Sequence, residues 1–274
     1  MSILINNGAG GFLSPVNYSV GNYPDFVIAA DLDGDGDRDI AVANQNSDNV
    51  SILKNNGNGT FQSAVNYAVG DEPVSVFASD LLDNDGDLDL VVANGDTTYI
   101  SILRNNGSGT FQPAGQCSTL GYYPTSVYAA DLNGDGNEDI MVSAYYSTDG
   151  KLLIFTNNGD NTFTPVSPFA VGSSPECVVA ADFDRDGDND IAVANKMSGS
   201  ISVFGNQLLS PEYYYDPCSG EVIQINLSLL VKAMNAHRQG KIPESDVLSI
   251  AGYLFEGAPA SSVNWRAVYE PNCK

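Results

Sequence analysis

The chain has 274 residues, 43% of them hydrophobic, and carries 34 acidic against 11 basic side chains for a net charge of −23. That length accommodates one large or two smaller domains, and the apolar fraction is enough for a core. The charge argues against a nucleic-acid partner, whose phosphates need Lys and Arg, and no apolar run approaches the length of a membrane span.

The first elements start partway through a repeat. Ser2-Ile3-Leu4 and Asn6-Asn7-Gly8 return later as Ser51-Ile52-Leu53 and Asn55-Asn56-Gly57. No signal peptide is visible at Met1, so the expectation is that one was removed or that the chain is a piece of a longer one. After Pro24 comes a short apolar strand, residues 26–30, and then D-L-D-G-D-G-D-R-D at 31–39.

That acidic stretch returns three times: D-L-L-D-N-D-G-D-L-D at 80–89, one residue longer, D-L-N-G-D-G-N-E-D at 131–139, and D-F-D-R-D-G-D-N-D at 182–190. Its central acid (Asp35, Asp85, Asp135, Asp186) recurs at intervals of 50, 50 and 51 residues. Bare carboxylates about 5 Å apart repel by roughly 3 kcal/mol at an effective dielectric near 20. A hard cation removes that cost. Oxygen ligands at alternate positions around a turn glycine are the pattern of Ca²⁺ loops. The four stretches hold 19 of the 34 acids, so the acidity reads as local ligand supply.

The other elements keep the same phase. Pro24, Pro73, Pro124 and Pro175 precede apolar strands at 26–30, 74–78, 126–130 and 177–181. Each acidic stretch runs into an unbroken apolar segment, at 40–43, 90–93, 140–143 and 191–194, which reads as a buried strand. A third strand follows at 50–53, 100–103, 152–155 and 201–204. Then come the turns N-N-G-N-G-T-F, N-N-G-S-G-T-F and N-N-G-D-N-T-F, whose Asn and Gly tolerate positive φ. A looser fourth strand closes the unit, as at 64–69. Four strands per period of about 50 residues is one propeller blade. Phe12, Phe61, Phe111 and Phe163, after the turns, are expected between blades.

These motifs closely resemble the FG-GAP/VCBS repeats, whose best-known members form the integrin α-subunit propeller; the resemblance covers roughly residues 1–204. It implies antiparallel blades holding three to four Ca²⁺ ions in the loops between the first two strands. Carried over by position, the first site takes Asp31, Asp33, Asp35, Asp37 through its carbonyl, and Asp39. The third takes Asp131, Asn133, Asp135, Asn137 through its carbonyl, and Asp139. The fourth takes Asp182, Asp184, Asp186, Asp188 through its carbonyl, and Asp190. The second aligns Asp83, Asp85, Asp87 and Asp89 but has Leu81 at the first ligand position, leaving Asp80 to bulge back; it is expected to be weaker or altered.

The expected fold is all-β: a small propeller of about 4–5 four-stranded blades over 1–207, with an N-terminal half-repeat at 1–20. A C-terminal cap of two helices follows over 208–274. Counting strands leaves the last blade without its fourth strand and the N-terminal hairpin without its first two. Three closures fit an edge that needs covering: the N-terminal segment completing the last blade of the same molecule, the C-terminal segment building a fifth blade, or the N-terminal strand entering a neighbouring copy. The last is a head-to-tail contact that generates a fibre if it does not close.

The C-terminal helices are expected at 227–238 and 243–255. The second, with Pro243 at its first position and Gly257 beyond its end, weakly resembles a dockerin helix without that helix's calcium loop. Four cysteines allow three pairings; Cys218–Cys273, bracketing this segment, and Cys117–Cys177 are the favoured bridges. Sequons stand at Asn17, Asn49, Asn58, Asn106 and Asn226.

No catalytic constellation stands out: His237 is the single histidine and no serine sits in a nucleophile elbow. Disulfides and filled calcium loops suit an extracellular or cell-surface setting. The expected role is therefore a calcium-stabilised structural or adhesive protein whose strand imbalance permits assembly by strand exchange. The alternative is a propeller that binds a glycan or a cell-surface protein, using Tyr122, Tyr123, Tyr145 and Tyr146.

Overall fold

The structure is a computed structural model and describes residues 1–206. Among these residues the secondary structure is strand except for one helical turn at Gln45–Ser47. The hairpin β1 (Ser2–Ile3) and β2 (Val16–Asn17) comes first. Blade 1 is β3 (Pro24–Ala30), β4 (Asp39–Asn44), β5 (Asn49–Leu53) and β6 (Val65–Ala68). Blade 2 is β7 (Pro73–Ser79), β8 (Asp89–Asn94), β9 (Tyr99–Asn105) and β10 (Phe111–Ser118). Blade 3 is β11 (Tyr123–Ala130), β12 (Asp139–Tyr146) and β13 (Asp149–Asn157), its outer position shared by β14 (Phe163–Pro165) and β15 (Phe169–Val171). Blade 4 is three-stranded: β16 (Pro175–Ala181), β17 (Asp190–Asn195) and β18 (Ser200–Phe204). Each sheet is ordered as the chain runs, and four of them in succession make a four-bladed β-propeller arrangement. One compact unit comprises Met1–Asp131, Gly136–Ala180 and Ile191–Phe204; the second contains Leu132–Asp135, Ala181–Asp190, Gly205 and Asn206.

The apolar runs after the acidic stretches are unbroken because both of their faces are covered. Every residue of β4 and of β8 is buried. Ala41, Ala43, Val50 and Ile52 of blade 1 pack with Val76, Leu90, Val92 and Leu103 of blade 2. The alternate residues of β8, Val91 and Ala93, face Val127, Ile140 and Val142 of blade 3. The core therefore lies between sheets, and each such Val, Leu or Ile contributes about 1.5–3 kcal/mol by leaving water.

The prolines expected just ahead of the first strands lie within them, and the register shifts between Pro24 and Phe26, Pro73 and Ser75, and Pro124 and Ser126. A residue without an N–H fits where a bulge interrupts the ladder.

The N-terminal hairpin pairs Ser2 with Asn17 and Ile3 with Val16 and lays Ile3, Tyr18 and Val20 against Ile40, Val42 and Leu53. Among the described residues nothing pairs with the outer edge of β18, whose Ile201 and Val203 are exposed. Phe111 is buried at 4% exposure and Phe163 packs on the core between blades 2 and 3, but Phe12 is 64% exposed.

The expected Cys117–Cys177 bridge does not form, and both thiols are free. Cys117 is on the outer strand of blade 2 and Cys177 on the first strand of blade 4, with all of blade 3 between them in the chain. Burial pushes the Cys117 thiol up to about 11, which leaves it a packing group rather than a nucleophile. The expected C-terminal helices, Cys218, Cys273, Asn226 and His237 lie outside the described residues.

Candidate metal centre

Each acidic loop is tied down at both ends by its own carboxylates. The last Asp is the anchor. Asp39 is fully buried; its Oδ2 accepts the Leu32 N–H at 3.0 Å and its Oδ1 the Asn55 N–H at 2.7 Å. Asp89 accepts from Leu82 at 2.9 Å and Asn105 at 2.8 Å, and Asp190 from Phe183 at 2.9 Å and Asn206 at 2.7 Å. Asp139 accepts the Asn157 N–H at 2.8 Å. This residue joins the loop to the turn after the third strand. Burial raises the pKa of Asp39, and that of Asp89 to about 6, against the lowering pull of these hydrogen bonds.

The first Asp closes the loop on itself. Asp31 accepts the N–H groups of Gly34 at 2.9 Å and Gly36 at 3.0 Å. Asp80, Asp131 and Asp182 accept from Gly86, Gly136 and Gly187 in the same way. These four glycines have φ of 92°, 88°, 88° and 99°, which requires glycine there. Asp35, Asp85 and Asp186 accept the N–H of the residue two further on, Asp37, Asp87 and Asp188.

Two loops gather a triad. Carboxylate oxygens of Asp31, Asp33 and Asp39 lie within 4.8 Å of one another, as do those of Asp182, Asp184 and Asp190. Asp33 Oδ1 is buried with no hydrogen-bond partner, the kind of atom a coordinated cation satisfies. Burial, then the charges of Asp186 and Asp190, raise the pKa of Asp184. Both donor sets are all-oxygen and anionic, so they fit a hard divalent ion. Asp35, Asp37, Asp186 and Asp188 belong to these loops but not to the triads. In the 131–139 loop Asn133 Oδ1 accepts the Asp135 N–H at 2.9 Å, and Asn137 Oδ1 accepts from Asn84 at 2.8 Å.

The 80–89 loop differs. Leu81, expected at the first ligand position, is instead buried in the core as Leu32 is in blade 1, and Asp80 stands where Asp31 does, making the closing bond to Gly86. Asp83 turns away, pairing Oδ2 with Arg104 at 2.8 Å and accepting from Asn161 Nδ2 at 2.5 Å on Oδ1.

Sequence reasoning missed a link between blades. From sequence, the first Asn of each N-N-G turn reads as a positive-φ residue. Instead Asn105 donates to the Leu32 carbonyl at 2.7 Å and Asn157 to that of Leu81 at 2.9 Å, so each turn grips the acidic loop of the preceding blade. Asn206 donates to Leu132 at 2.7 Å although the rest of its turn is lost. That persistence was the readable signal. Of the sequons, Asn17, Asn58 and Asn106 are exposed, while Asn49 donates to the Ser47 carbonyl at 2.9 Å.

Sheets of this order, joined by aspartate loops at a fixed period, define a class of repeat β-propellers. The FG-GAP-like repeat model matches residues 31–81, 82–142 and 139–193, and the chain belongs to that family. Among solved structures it is similar to a functionally unknown protein from Desulfotomaculum acetoxidans, at 14% identity and TM-score 0.54 over 81% of this chain and 63% of that one. A putative 6-phosphogluconolactonase from Bacteroides fragilis matches at 14% identity and TM-score 0.54, over 82% and 63%. An Agrocybe aegerita lectin that recognises non-reducing terminal N-acetylglucosamine matches at 22% identity and TM-score 0.46, over 76% and 60%. The chain thus spans about three-fifths of each, and at 14% identity the likeness to the first two is one of fold. No curated protein sequence matches it.

Proposed function

We propose that this chain is a calcium-stabilised propeller serving an extracellular structural or adhesive role. The observation that carries the reading is the triad Asp31, Asp33 and Asp39, with a buried, unpartnered oxygen on Asp33. Asp31, Asp33 and Asp39 would hold one ion and Asp182, Asp184 and Asp190 another; the ions would supply the positive charge that lets the loops stay compact. Asp39 and Asp190, each bonded to the turn after the third strand, would carry that order into the blade. Assembly by strand exchange belongs to the same proposal: among the described residues β18 has no fourth strand on its outer edge, and the N-terminal hairpin is a third and fourth strand without its first two. Electron microscopy of purified protein in calcium and in EDTA tests it. Calcium-dependent fibres that vanish on deleting residues 1–12 are expected; monomers in both buffers count against assembly.

A second reading is favoured by blade 3, where β12 and β13 extend to Tyr146 and Asp149. Tyr123 and Tyr145 pack with ring centroids 6.4 Å apart, Tyr122 donates to Asp149 at 3.2 Å under the Lys151 ammonium, and Tyr146 is 60% exposed. Aromatic faces beside polar groups suit a saccharide. A glycan array with wild type and Tyr146→Ala tests this reading, which fails if neither binds.

A further inference from the structure

Two departures from the repeat meet in space. The 80–89 loop carries one extra residue and has two successive left-handed residues, Asp83 and Asn84 at φ of 68° and 49°, where the other loops have one, Gly34, Gly134 or Arg185. In the turn of blade 3, Asn161 (φ 69°) stands where the other turns have Gly59 and Gly109. Gly109 sits beside Asp33; Asn161 sits beside Asp83 and bonds it twice, donating to Oδ1 at 2.5 Å and accepting the Asp83 N–H at 2.9 Å. A third departure is Arg104, where blade 1 has Lys54. Lys54 stays 3.6 Å from Asp33 and donates to the Ser108 carbonyl, leaving Asp33 Oδ1 free; Arg104 closes to 2.8 Å on Asp83 Oδ2. Both Asp83 oxygens are therefore spent.

We propose that the 80–89 loop takes no calcium and uses the Arg104 guanidinium as its built-in cation, so that the junction of blades 2 and 3 holds its order without metal. Residues and metal do not fit here. Asp83 is occupied, and the described residues of this loop form no carboxylate triad. Asp80 Oδ1 is buried without a partner, but it is one ligand where Ca²⁺ takes about six to eight. An exposed ion pair alone contributes little. Here the guanidinium offsets repulsion among five aspartates in ten residues, and Asn161 fixes the geometry. The Asn84 bond to Asn137 at 2.8 Å adds a second strap onto blade 3. The inference rests on the calcium reading only for its contrast with the other loops.

Peptide-resolved hydrogen exchange on the full chain, in calcium and in EDTA, tests it. Chelation should speed exchange about tenfold or more at 31–39 and 182–190 and less than about twofold at 80–89. Arg104→Gln should deprotect 80–89 by about tenfold in EDTA, with Arg104→Lys in between. A calcium dependence of about tenfold at 80–89, or no effect of Arg104→Gln, overturns the proposal. Should Arg104→Gln not fold, native mass spectrometry of the wild type decides. At most three bound calcium ions are expected, from the other three acidic loops, and a fourth overturns the proposal. If calcium changes nothing at 31–39 and 182–190 while 80–89 still depends on Arg104, the calcium reading falls and this assignment stands.

Discussion

Tyr67 packs edge-on against Phe111, ring centroids 5.5 Å apart at 77°, and so clasps the outer strand of blade 1 to blade 2. The clasp recurs with the repeat. Tyr18 meets Phe61 at 5.6 Å and 83°, and Phe169 meets Phe204 at 5.6 Å. Cys117 occupies the same place in blade 2, six residues after Phe111 as Tyr67 is after Phe61, and packs on the core that includes Phe163. Phe111→Ala should lower stability by about 3–5 kcal/mol through the cavity it leaves. Phe12→Ala, at an exposed site, should stay within about 0.5 kcal/mol. Urea denaturation in saturating calcium checks both.

Gly70 is a contact glycine. A Cβ there would lie 2.7 Å from Cγ and Nδ2 of the buried Asn94 and 2.9 Å from Cε2 of Tyr99, and the Gly70 N–H donates to Asn94 Oδ1 at 3.1 Å. Gly70→Ala should cost about 1–3 kcal/mol by overpacking. Gly115→Ala, with nothing within 4 Å, should be near neutral. Thermal melts of the two variants side by side give the comparison.

Asp33 and Asn105 test the metal centre from two sides. Asp33→Ala should remove one bound calcium in native mass spectrometry. It should also lower the melting temperature in calcium by about 5 °C, with little change in EDTA. Asn105→Ala strips a donor from the carbonyls of Leu32 and Leu88. It should destabilise by about 1–3 kcal/mol in both buffers, since the unpaired carbonyls do not depend on metal.

Asp89 sets a pH dependence. Its folded pKa, raised by burial to about 6, exceeds its ordinary value of 3.8, so the fold favours the protonated acid. The stability it contributes is fully present below about pH 4 and lost as pH rises through about 6. In EDTA the melting temperature should fall between pH 4 and 7, and Asp89→Asn should flatten part of that slope. An unchanged slope counts against it.

The repeat, its four strands and the loop ends were legible because their signals are local. Unbroken apolar runs marked β4, β8, β12 and β17, and the acidic stretches ended where Asp39, Asp89, Asp139 and Asp190 open those strands. The spacing of Asp31, Asp33 and Asp39 pointed to one centre, and those oxygens converge. Asp83 aligns as an equivalent ligand but faces Arg104, because the insertion gives this loop two successive left-handed residues where the others have one. Phe12 shares a motif with Phe111, yet it is 64% exposed. Cys117 and Cys177 were paired from their number alone, which says nothing of the blade between them.

By itself the amino-acid order determined the period, the all-β character and which loops carry clustered acid, since alternation, turn chemistry and charge act over a few neighbouring residues. Only the tertiary structure decided which carboxylates converge, which one an arginine claims, and that Asn105 and Asn157 bind carbonyls 73 and 76 residues away. Those outcomes depend on how one blade packs on the next, and a bond across that distance leaves no mark in either local stretch.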